Sequence, residues 1–207
     1  AYTCVEQLAG IFENRRQYSR AAEYWRRAIE EFGKNDNRQR RLDQIVDNWG
    51  RFEPTDSQAS GTGATVQYRF RNGDRVQFTA EQIDIAKLLD DIKAYLKSNP
   101  KQLDWQQINI EQLGHRLLRE NQQKYISRKV ASWSQELKPR GNHVDDRITV
   151  STPLENGGAY WLTAKMADGN TSHMVLWLDD MILVQKSGSE QGIFYLADAE
   201  TGTPVSD

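Results

Sequence analysis

His143 is followed at close range by Asp145 and Asp146, a grouping whose imidazole and carboxylates are able to polarise a water molecule or hold a metal ion. The competing account is a loop of exposed residues, since acidic side chains crowd most loops. The other two histidines, His115 and His173, fall in different predicted elements, and none of the three sits in a ligand motif such as His-Glu-x-x-His. Asp179 and Asp180 with Glu190 offer hard oxygen donors for calcium. They lack the alternating ligands around an inner glycine, and a turn between strands is the simpler reading. No Gly-x-Ser-x-Gly elbow, phosphate-binding loop or dinucleotide fingerprint is present. The expectation is a chain with no catalytic residue, no cofactor and no metal ligand. An enzyme built around His143, Asp145 and Asp146 is the alternative, and it requires a deep pocket joining them to a nucleophile.

Charge and composition narrow the partners. Lys and Arg total 27 against 29 Asp and Glu, a net charge of -2 that offers no global attraction to nucleic acid or an anionic membrane. The first segment is locally basic through Arg15, Arg16, Arg20, Arg26, Arg27, Arg38, Arg40 and Arg41. Its interleaved Glu13, Glu23, Glu30 and Glu31 favour helix-surface pairing over nucleic-acid binding. With 38% hydrophobic and 27% charged residues the chain reads as globular, and no apolar run is long enough to span a membrane. The single cysteine, Cys4, excludes an internal disulfide.

The elements that must position these residues fall into regions. Leu8, Ala9 and Phe12 share one face of a first helix; Tyr18, Ala21, Ala22, Trp25 and Ala28 mark a second, with Asn14 to Gln17 as the turn. Leu42, Ile45, Val46 and Trp49 continue at helical spacing. This pattern resembles one tetratricopeptide unit of about 34 residues, with Arg16 in place of the customary turn glycine. Tyr18, Trp25 and Trp49 are the candidate partner-binding residues, each with a core role as the alternative.

Pro54 to Gly63 reads as a linker. Val66, Tyr68 and Phe70 alternate with polar residues in a half-buried strand, and Asn72-Gly73 signals a hairpin into a strand carrying Val76 and Phe78. Ile85, Leu88, Leu89, Ile92, Tyr95 and Leu96 form a helical stripe, followed by a second helix with Asn109 and Gln112 as its capping pair and Ile110, Leu113 and Leu117 facing inward. Both helices are expected to cover a sheet. Further strands are expected at 125–137, 147–152, 160–167, 173–178 and 181–186, a spacing that argues for a sandwich.

Val150 to Val184 contains a Pro-bearing turn, Gly-x-Tyr opening a strand and a closing apolar strand, and Gly192 to Val205 then reads as a strand followed by Ala-Asp-Ala-Glu-Thr-Gly-Thr-Pro-Val. This order resembles consecutive macroglobulin domains of bacterial proteins of the alpha-2-macroglobulin family. The resemblance implies an α+β fold: an N-terminal tetratricopeptide-like helical hairpin and an antiparallel β-sandwich of macroglobulin or immunoglobulin-like type with a helical insertion. The expected divisions are a helical segment at 1–53, a linker at 54–63, a sandwich at 64–188 with its insertion at about 83–122, and at 189–207 the first strand of a following domain, so that the chain is expected to be a piece of a longer protein. It also implies a noncatalytic scaffold or interaction module in a protease-trapping or protease-inhibitor protein that is exported, whether periplasmic, cell-surface or membrane-anchored. Its partners would be neighbouring domains, proteases or other proteins, without nucleic acid or membrane insertion. An adhesion or assembly module is the alternative. Cys4-Val5-Glu6-Gln7 is similar to the Cys-x-Glu-Gln stretch that forms the family's internal thioester, but Thr3 stands where that motif has glycine, and an ordinary apolar helix residue is the reading adopted for Cys4.

Overall fold

The computed structural model describes residues 3–110, 113, 117, 123–187 and 192–205. It opens with helices α1 (Cys4–Asn14), α2 (Tyr18–Phe32) and α3 (Asp36–Val46). Thr3 and Glu6 form a reciprocal capping box at the start of α1, which satisfies two backbone donors that the helix leaves open. The α1–α2 turn is a Schellman motif: Gln17 N–H donates to the Phe12 carbonyl, Arg16 N–H donates to Glu13, and Arg16 takes the left-handed position at φ 58. Ala9, Ala21, Ala22 and Ala28 are fully buried, so the helices approach closely around Trp25, Leu42 and Ile45. Glu6 also accepts from Arg38 of α3 at 2.9 Å, and Arg38 donates on to the Phe32 and Gly33 carbonyls at the end of α2. One ion pair thus ties three helices.

The strands are β1 (Trp49–Phe52), β2 (Gln58–Ala59), β3 (Thr65–Arg71), β4 (Arg75–Ile83), β5 (Ile126–Glu136), β6 (Asp146–Ser151), β7 (Gly158–Met166), β8 (Thr171–Asp179), β9 (Met181–Ser187) and β10 (Gly192–Asp198). A three-stranded sheet, β1-β3-β6, faces a five-stranded sheet, β2-β8-β7-β4-β5, and β9 and β10 form a separate ribbon. Val66, Tyr68 and Phe70 from the first sheet meet Val76, Phe78, Leu162, Met166 and Leu176 from the second in one core. The fold is α+β, as expected.

Ala159 to Leu162 is apolar at every position because β7 is covered on both faces at this end. Tyr160 and Leu162 point into the sandwich, while Ala159 and Trp161 pack with Leu88, Leu113, Leu117 and Tyr125. Leu88 belongs to α4 (Ile85–Lys97), begun by an Asp84 cap; after it come the short α5 (Trp105–Ile108) and a 3₁₀ turn at Gln123–Tyr125. Most of the expected second inserted helix, including Gln112, lies outside the described residues, although Leu113 and Leu117 are buried.

Four expectations require correction. Asn72-Gly73 does not close a hairpin: β3 pairs with β1 and β6, β4 pairs with β5 and β7, and neither strand has a free edge for the other. Asn72 does take the left-handed conformation at φ 62, but the chain turns a corner between sheets there, with Gly73 so close to Met166 that a Cβ would fall 2.3 Å from its sulfur. Trp49 is not on a helix. The Asn72 carboxamide donates to the Ile45 and Asp47 carbonyls, ending α3 before Trp49, which pairs with Arg71 in β1, so that sandwich residues begin inside the expected helical segment.

The expected linker contains β2, which runs parallel to β8, and Gln58 bonds Thr65 through both N–H and carbonyl. Finally, β9 is not the closing strand of the sandwich. Asp180 breaks the chain direction after β8, held by the Ser60 hydroxyl on its carboxylate and the Ala199 N–H on its carbonyl, and β9 pairs along its length with β10. The strands on either side of the expected 188/189 division therefore pair with each other.

Candidate protein-interaction surfaces

The three candidate partner-binding aromatics are not brought together. Trp25 is a core residue, 3% exposed, with its indole N–H on the Glu13 carboxylate and the Arg41 guanidinium over its ring. Tyr18 is half-buried at the start of α2 and lines a groove with Arg16, Val144 and Asp145. Trp49 is half-buried on the outer face of the three-stranded sheet, its ring 5.5–5.7 Å from the guanidinium carbons of Arg51, Arg69 and Arg71. It borders a cleft of about 1120 Å³ between α3 and the 168–170 turn, into which Asp43, Asp47 and Asp168 also face. Burial, with the Asp43 charge second, raises the affinity of the Asp47 carboxylate for a proton.

His143 does not join Asp145 and Asp146 in a reactive group. Its Nδ1 lies 2.8 Å from the Asn72 Oδ1. Asp145 instead faces Arg71 and Arg69 at 3.6 and 3.9 Å, and Asp146 faces Arg140 at 3.2 Å. Burial depresses the His143 pKa, and the Arg26 and Arg71 charges depress it further. His173 stacks on Trp161 and bonds the Thr163 hydroxyl, with its pKa also depressed by burial. His115 and Glu190 lie outside the described residues. Cys4 and Gln7 are exposed on the first turn of α1, without the sheltered pocket a thioester needs, and Glu6 is occupied by Thr3 and Arg38. Among the described residues no group of three metal-ligating side chains converges, and no helix is long and apolar enough to cross a membrane.

Among the described residues, the ribbon gathers the largest run of exposed apolar side chains. Strand alternation with the observed register puts Phe194, Leu196, Leu183 and Met181 on one face, and Ile193, Tyr195, Val184 and Ile182 on the other. Both faces are open: Leu183 is 61%, Phe194 62% and Ile193 64% exposed. Thr203 to Val205 fold back along part of the outer β10 edge through the Asp198–Thr203 and Val205–Leu196 backbone bonds. Continuous apolar runs mark strands buried on both sides, and a two-stranded ribbon is marginal in water. This ribbon therefore carries the composition of an interior without a covering layer among the described residues.

Sequence reasoning overlooked a second feature, the arginines of β3. Their signal was the same alternation that placed Tyr68 and Phe70 inward, because Arg69 and Arg71 must then share the outer face.

No family model matches this sequence, and no curated protein matches it. Among solved structures it is similar to the native alpha-2-macroglobulin of Escherichia coli in a crystal structure spanning domains MG0-NIE-MG1, at 12% identity and a TM-score of 0.51 over 77% of this chain. A fainter likeness, 9% identity and a TM-score of 0.31 over 65% of this chain and 90% of the other, links it to the CARDB domain of a Pyrococcus furiosus protein. This chain spans 48% of the Escherichia coli structure, about half its length. What the two share is a macroglobulin-like fold.

Proposed function

We propose that this chain is a noncatalytic scaffold and protein-interaction module of a larger, exported alpha-2-macroglobulin-like protein that traps proteases, and that its helical segment is tetratricopeptide-like. The observation that carries the reading is the ribbon, a sheet of two strands among the described residues whose eight apolar side chains occupy both faces. Such an element is completed by another layer packed on its apolar faces. The module's work is geometric: a rigid sandwich holds the ribbon and the helices at fixed positions, and neighbouring domains dock on them. The macroglobulin-like fold supports this role, and the dispersal of His143, Asp145 and Asp146 among separate partners favours it over catalysis.

The test is amide hydrogen exchange on the natural full-length protein beside this chain alone. Docking predicts that the β9 and β10 amides are slowed in the longer protein; equal exchange in both contradicts it. Trapping is tested separately by adding trypsin to the full-length protein. Retention of the protease through gel filtration supports a trap, and its release as a free enzyme counts against one.

A further inference from the structure

The outer face of the three-stranded sheet breaks a rule of strand pairing. Arg51 stands directly opposite Arg69, and Arg69 directly opposite Arg147, so three like charges form a row across three strands. Such a row is unfavourable unless counter-charges hold it. Glu53 reaches Arg147 at 3.0 Å and Arg69 at 3.7 Å, and Asp145 serves Arg69 and Arg71, while Asp146 serves Arg140. Three carboxylates thus face five guanidinium groups.

The opposite wall adds more positive character. Arg16 and Arg20 have no carboxylate within ion-pair distance among the described residues; Arg20 lies over the Phe12 ring. They flank the start of α2, where Gln17 supplies no side-chain cap, the first turn holds no acidic residue, and the Tyr18, Ser19 and Arg20 N–H groups find no acceptor among the described residues. The third wall is a strained loop in which Gly141, Asn142 and His143 are all left-handed, at φ 78, 54 and 58. Consecutive residues in this conformation are rare, and strain of this kind gathers at functional sites. The loop is anchored by Ser19 on Asn142 and by Asn72 on His143. Two adjoining cavities of about 550 and 370 Å³ run between these walls and share Arg16, Tyr18 and Val144.

We propose that this groove binds an extended acidic segment of a partner protein, with its carboxylates on Arg16, Arg20 and Arg147 and an apolar side chain on Tyr18 and Val144. Guanidinium groups match carboxylates in paired geometry, and the open N–H groups of α2 supply a further anion contact. A peptide fits better than nucleic acid, because Asp145 and Asp146 interrupt the continuous track a phosphate backbone would follow, whereas carboxylates spaced by an apolar side chain can pass them and place that side chain on Tyr18 and Val144.

The test is fluorescence anisotropy with the whole chain and a fluorescein-labelled peptide of glutamates interspersed with leucine. Saturable binding that weakens with added salt is expected. Arg16→Gly combined with Arg20→Gln should weaken it about tenfold, whereas Arg75→Gln, on β4, should leave it unchanged. Glycine suits the Arg16 backbone, so the double variant keeps its fold, which its melting temperature checks. The proposal is overturned by unchanged binding in that variant, by equal binding of a peptide with glutamine for glutamate, or by tighter binding of a single-stranded oligonucleotide.

Discussion

The side-chain oxygen of Asn72 lies 2.8 Å from His143 Nδ1, while the nitrogen of the same carboxamide donates to the Ile45 and Asp47 carbonyls at 2.9 Å each. Since the Asn72 oxygen accepts, His143 holds its proton on Nδ1 and donates it. Further protonation must occur at Nε2, in a half-buried place beside Arg26 and Arg71 that disfavours positive charge. The folded-state pKa is therefore depressed below the ordinary 6.5, and the unfolded chain takes up the proton first. His173, depressed by burial, acts in the same direction. Stability from both groups is complete above pH 6.5 and is lost as pH falls through their folded-state pKa values. Chemical denaturation between pH 7.5 and about 5.5 should show this decline, and His143→Gln with His173→Gln should flatten it. An unchanged slope contradicts the assignment.

Replacing Asn72 with glycine keeps the left-handed backbone but removes three side-chain hydrogen bonds. The expected loss is about 1–3 kcal/mol in urea unfolding. A loss below the error of that measurement would mean that water serves the end of α3 as well as Asn72 does.

Arg16→Gly has the opposite sign. The left-handed conformation at φ 58 costs a side-chain-bearing residue about 1–2 kcal/mol, offset in part by the freedom glycine adds to the unfolded chain. A net gain of roughly 0.5–1 kcal/mol is expected in thermal or urea unfolding. Destabilisation would show that Arg16 makes compensating contacts.

Trp25→Ala should cost about 3–5 kcal/mol, since the side chain is buried among closely packed alanines and helix residues. A loss comparable to that of an exposed residue would instead support Trp25 as a partner anchor.

Local and long-range information account for what was legible. The buried Ala9, Ala21 and Trp25 follow from helical spacing, and Tyr68 and Phe70 from strand alternation, because each pattern lies within one element. The end of α3 does not, since its cap comes from Asn72 on a different element, and Trp49 fits the helical pattern until that cap is known. Asn72-Gly73 indicates left-handed backbone correctly, but hairpin or corner is decided by β1, β5, β6 and β7, which take the edges of β3 and β4. The row Arg51, Arg69, Arg147 likewise needs the register of three strands separated widely in sequence. His143 and Asp145 are close along the chain, yet their side chains find different partners, which adjacency in sequence does not reveal.

The most direct test of the docking role is amide hydrogen exchange on the chain alone, comparing the β9–β10 ribbon with β4 and β7 at the sandwich centre. A ribbon that requires another layer should exchange in the regime of a marginal hairpin, orders of magnitude faster than the central strands. Protection equal to that of β4 and β7 would show the ribbon to be self-sufficient and contradict its assignment as the docking element.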